Sequence, residues 1–83
     1  MNSNEILTAC NKIFIDELDN ENVVLTRETT AKDIEEWDSL TNIQLIVAIE
    51  KHFKFRFTAM EIQSLKNVGD LCDAIERKTL KQG

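Results

Sequence analysis

Glu36-Trp37-Asp38-Ser39-Leu40-Thr41-Asn42-Ile43 is the stretch on which the reading of this chain turns. Asp38 can accept hydrogen bonds from the open backbone N–H groups of a helix starting beside it, and an apolar helical period begins at Leu40. Ser39 then falls in the first turn, exposed and next to unpaired N–H donors. A phosphate esterified to its oxygen would lie at the positive end of the helix dipole, where anions are best tolerated.

The helix so begun is predicted over about residues 39–53, and it has two apolar sides. At one hundred degrees per residue, Leu45, Ile46, Ile49 and Phe53 share one face, while Leu40, Ile43 and Val47 form a separate stripe roughly opposite. The four-residue face, with the largest side chain, is the core candidate. The other stripe is then open to partner proteins, unless the preceding loop folds over it.

N-terminal to this helix, residues 20–37 form a long connection that carries its own apolar anchors, Val23, Val24, Leu25, Ile34 and Trp37. Anchored at both ends, such a loop can lie ordered across a bundle, with Thr26, Thr29 and Thr30 turning the backbone through their hydroxyls. Trp37 beside a helix start reads as a packing anchor, with ligand stacking as the alternative. Before the loop, Asn2 and Glu5 make a capping box, and Ile6, Leu7, Cys10, Ile13, Phe14 and Leu18 recur at helical spacing, giving a first helix over about residues 3–18. The acidic exit after it, residues 16–22, lacks the alternating acids and central glycine of a calcium loop, so it reads as a solvated helix end.

C-terminal to it, Phe53-Lys-Phe-Arg-Phe57 reads as a helix end and an extended connector with one or two phenylalanines turned inward. His52 has no catalytic or metal-type company and reads as a surface residue. Thr58 and Glu61 form a capping box opening a short helix that carries Met60, Ile62 and Leu65. Asn67 and Asp70 repeat that spacing before a last amphipathic helix with Val68, Leu71, Cys72, Ile75 and Leu80. The predicted fold is all-α, an irregular four-helix bundle of three longer helices and one short one, with the long loop between the first and second. Residues 1–83 are expected to form a single domain, frayed at residues 1–2 and 80–83.

Composition narrows the function. The chain has 83 residues, 42% apolar and 30% charged, with no proline and two glycines. The net charge is −5, unevenly placed: ten acids against three bases through Asp38, then five acids against seven bases. An acidic N-terminal half is expected to repel nucleic acid and anionic lipid. No stretch has the length of a membrane span or the pattern of a signal peptide, which points to a cytoplasmic protein, expected as a monomer without membrane insertion. Cys10 and Cys72 fall on apolar stripes and are expected to be buried, reduced thiols with no metal. No phosphate loop, nucleophile pair or usable carboxylate pair is visible, so a platform is expected rather than an enzyme.

The Asp38-Ser39-Leu40 signature sits at the head of a long apolar helix ending in Glu50-Lys-His-Phe53. A long acidic loop precedes it, and Leu65-Lys-Asn-Val68-Gly-Asp-Leu71 leads into the last helix. In this company the chain resembles the acyl carrier protein family, from the first helix to about Ile75. The resemblance implies that Ser39, flanked by Asp38 and Leu40, receives 4′-phosphopantetheine from coenzyme A through a phosphopantetheinyl transferase. The thiol of that arm would carry acyl groups as thioesters for fatty-acid, polyketide or other specialised biosynthesis. The partners implied are an acyl-loading ligase or acyltransferase and a ketosynthase or other acyl-using enzyme. Ile46, Ile49, Ile62 and Leu65 are the candidate walls of an acyl pocket. Leu40, Ile43, Gln44, Val47 and Lys51 are the candidate partner-binding residues. One departure stands out: fatty-acid carriers line the outer side of this helix with acids, whereas here it offers Gln44, Glu50, Lys51 and then Lys54, so steering by charge is expected to be weaker or redirected. Two other readings are an aminoacyl or peptidyl carrier of the same fold and an unmodified helical adaptor.

Overall fold

The computed structural model describes the backbone of residues 3–82 and the side chains of residues 4–79. Four helices follow one another, α1 (Ser3–Leu18), α2 (Ser39–Phe53), α3 (Ala59–Ser64) and α4 (Val68–Gln82), with a long loop between α1 and α2. This is the expected all-α arrangement, and the described residues include no strand. The capping box expected from Asn2 lies outside the described residues, as do residues 1, 2 and 83 of the termini expected to fray; the backbone of residues 80–82 continues α4.

α1 lies against both α2 and α4 because its apolar residues recur along one side. Ile6, Cys10 and Phe14 are fully buried there, facing Leu45 and Ile49 of α2 and Val68, Cys72 and Ile75 of α4. α1 ends where Asp19 turns left-handed at φ 52°. Among the described residues no group of acids, histidines or cysteines could hold a metal ion.

The long loop is held by polar bonds that its apolar residues did not announce. Asn11 of α1 donates from Nδ2 to the Val23 carbonyl at 3.1 Å and accepts the Leu25 N–H at 2.6 Å. Val23 and Leu25 are thereby turned into the core, but Val24 between them is 78% exposed. Val24 was expected as an anchor; in an extended run, alternate side chains point to opposite sides, so it faces out. Further along, the Thr29 and Arg27 carbonyls accept the first N–H groups of α4, from Val68 at 2.9 Å and Gly69 at 2.8 Å. The loop thus caps a helix forty residues away, and Arg27 adds an ion pair to Asp73 at 3.0 Å.

Phe53, Phe55 and Phe57 are all buried, the first at the helix end and the other two from the connector. Lys54, left-handed at φ 61°, ends α2, and the extended residues after it return Phe55 and Phe57 to the same side. Glu50 Oε2 fixes that connector by accepting the Phe57 N–H at 2.7 Å. α3 opens with the expected Thr58 and Glu61 box, and its Met60 is 80% exposed. Asn67 caps α4 through Asp70 N–H at 2.8 Å, whereas Asp70 reaches back to Lys66 N–H, one residue before the reciprocal box expected.

Candidate functional site

The site is organised by the turn that starts α2. Asp38 has extended backbone geometry, and its Oδ1 accepts the N–H groups of Leu40 and Thr41, each at 2.9 Å. The Thr41 hydroxyl closes the box by accepting the Asp38 N–H at 2.8 Å. It also donates to the Glu36 carbonyl at 2.7 Å. Thr41 N–H first, then the Thr41 hydroxyl and Leu40 N–H, hold the Asp38 carboxyl below its ordinary range. A deprotonated Asp38 is therefore occupied with backbone donors, leaving its neighbour Ser39 exposed in the first turn. Ser39 makes no hydrogen bond to any described residue through its hydroxyl or its N–H. A free hydroxyl beside an open N–H, at the positive end of a fifteen-residue helix, is suited to carrying a phosphodiester.

Behind Ser39 lies a cavity of about 300 Å³ that runs between α2 and α3. Asp38, Ser39 and Asn42 stand along it together with Ile46 and Ile49 of α2 and with Ile62 and Leu65. The four residues named as candidate walls therefore line one space, and that space reaches the serine. Phe14 from α1, Leu45 from α2, Leu71 from α4, Ala31 and Trp37 from the loop, and the polar Lys66 and Asn67 line it as well; of these, the sequence reading offered only Trp37 as a ligand contact, as the alternative to a packing anchor. Trp37 packs edge-on to Phe14, with ring centres 4.9 Å apart, and donates from Nε1 to Asn42 Oδ1 at 3.0 Å. It is both the packing anchor expected and part of the cavity wall. Its spacing to Asn42, five residues on, was the available signal.

On the other side of α2, Leu40 and Ile43 are 68% and 63% exposed and Val47 is 42% exposed, with Gln44 and Lys51 exposed beside them. The long loop does not cover this stripe. Leu45, Ile46, Ile49 and Phe53 are the buried face, as their spacing required. Cys10 and Cys72, sixty-two residues apart in sequence, meet in the core; their hydrogen bond and then burial push the Cys10 thiol well up, so it stays protonated.

Residues 12–75 match the family model described as a phosphopantetheine attachment site. The chain is 38% identical over 80 residues to a protein named acyl carrier protein from Thermosynechococcus vestitus, covering 94% of this chain and 96% of that protein. It also resembles the solution structure of a holo acyl carrier protein from Geobacter metallireducens, at 47% identity and a TM-score of 0.88, over 93% of this chain and 88% of that one.

Proposed function

The chain belongs to the acyl carrier protein family, and on that premise we propose that Ser39 is its attachment point and that the cavity behind it shelters an acyl cargo. The prosthetic group is 4′-phosphopantetheine, covalently bound. When attached, it supplies a thiol that holds the cargo as a thioester. The chain's own residues do the rest. Ser39 offers an accessible oxygen, and its free N–H and the dipole of α2 stabilise the phosphodiester charge. Asp38 keeps the turn in shape without competing for the serine, since its carboxylate is bound to Leu40 and Thr41.

The observation that carries the reading is the continuity between an exposed Ser39 and a space whose walls include Ile46, Ile49, Ile62 and Leu65. Those four side chains offer a hydrocarbon cargo an apolar lining, alongside polar lining from Asp38, Asn42, Lys66 and Asn67. The chain itself is a platform; loading, chain extension and release are performed by enzymes that visit it. The test is incubation with coenzyme A, magnesium and a phosphopantetheinyl transferase. Intact mass should rise by one prosthetic group, and Ser39→Ala should abolish the gain. An unchanged mass for the parent chain would mean an unmodified adaptor instead.

A further inference from the structure

Two rings close the inner side of the cavity behind Ser39. Among the described residues that line it, Phe14 and Trp37 alone are aromatic. Phe14 is fully buried on α1, so the side it forms is the inner one, away from exposed Ser39 and Lys66. The Trp37 ring meets it edge-on, with centres 4.9 Å apart, and carries that wall outward toward the start of α2. Its Nε1 donates to Asn42 Oδ1 at 3.0 Å, and Asn42 stands in the opening turn of the same helix. Held at a ring edge and at its polar atom, the indole is fixed: swinging it away would leave a half-buried N–H without its acceptor. The aliphatic walls differ. Ile46, Ile49, Ile62 and Leu65 make no directional bond through their side chains and can change rotamer around an occupant.

An apolar cavity of about 150 Å³ holds one six-carbon ring, so a space of about 300 Å³ has room for about twelve carbons. Of the fourteen described residues that line it, five are polar, which leaves roughly two thirds of that room, about eight carbons, to hydrocarbon. We infer that Trp37, locked by Asn42 against Phe14, sets the length of acyl chain this carrier shelters, at about eight carbons. This inference rests on the carrier reading above. Shorter chains leave the space part empty, and longer ones keep their surplus carbons in water because the inner wall does not give way.

The test loads the whole chain, through a broad-specificity phosphopantetheinyl transferase, with the bare arm or with arms ending in four-, eight- and twelve-carbon acyl groups. The urea midpoint is read for each, since cargo bound only by the folded chain stabilises it. In the parent the midpoint should rise up to eight carbons and level off by twelve. Trp37 is the chain's single tryptophan, so its emission reports the same event without a substitution: it should move to the blue up to eight carbons and no further. Trp37→Leu should let the midpoint keep rising from eight carbons to twelve. Asn42→Leu, which removes the acceptor at nearly constant bulk, should do the same, and circular dichroism should show each variant folded. A parent midpoint that climbs as steeply from eight to twelve carbons as before, or folded variants that level off where the parent does, would overturn the role of Trp37 and leave the sheltering cavity standing. If Trp37→Leu does not fold, Asn42→Leu and the parent's emission decide. Acyl arms that attach but move neither midpoint nor emission relative to the bare arm would overturn the sheltering itself.

Discussion

At Asp38 a single carboxylate oxygen takes two backbone N–H groups, and the turn that exposes Ser39 depends on it. Asp38→Ala should lower the urea midpoint of unfolding, since it removes a helix cap, while Asp38→Asn should recover most of the loss. The hydrogen bonds depress the folded-state pKa of this group. Its contribution is therefore present above its ordinary value of 3.8 and is lost only as pH falls through the lower, folded value. Cys10 and Cys72 offer a second test at this scale. Both are fully buried, so a thiol reagent should modify neither in the native chain and both in denaturant. Asp38 was legible in the sequence because a cap and its donors lie within three residues. The Cys10 and Cys72 contact was not, because nothing local marks two apolar stripes as facing each other.

Among the elements, α2 divides its two apolar sides as its periodicity required, and substitutions should tell them apart. Val47→Glu should leave the helical signal intact, since the residue is already exposed. Ile49→Ala should cost roughly 2–5 kcal/mol by opening a hole in the core, read as a lowered urea midpoint. α3 is a different case: only six residues long, it has no fully buried side chain, and Ile62 is only partly covered. Lys78 of α4 holds it through a 2.8 Å ion pair with Glu61. Lys78 first, then the Thr58 N–H, bring Glu61 from its ordinary 4.5 down to about 2. Because the folded value is the lower one, the tie is complete above pH 4.5 and lost as pH falls toward about 2. Amide exchange in α3 should accelerate over that window, before the core of α1 and α4 opens, and Lys78→Ala should bring the faster exchange to neutral pH. The Thr58 cap was readable from its spacing, whereas the Lys78 pairing, seventeen residues from Glu61, was not.

For the whole molecule, the loop between α1 and α2 does more than connect. It supplies acceptors to the N-terminus of α4, and Gly69 permits the approach: a Cβ there would stand 2.9 Å from the Arg27 carbonyl oxygen. Alanine would gain up to about 1 kcal/mol of helix propensity, but a backbone clash of this kind costs typically 1–3. Gly69→Ala should therefore destabilise the chain, with lost exchange protection at Val68 and Gly69 showing that the loop has moved. Helix number, order and buried faces could be read from hydrophobic period and caps. The loop's path could not, because carbonyl to amide bonds leave no trace in residue type, and only Asn11 and Gly69 hinted at where it is tied. Trp37 and Phe14 entered the cavity for the same reason, through a tertiary contact between segments distant in sequence. The measurement that bears most directly on the attachment point and cavity acting together is methyl NMR of the chain carrying the bare prosthetic arm and then the same arm loaded with an octanoyl group. Loading should shift the methyls of Ile46, Ile49, Ile62 and Leu65 while leaving Leu40, Ile43 and Val47 in place. Shifts confined to the exposed stripe, or none at all, would contradict it.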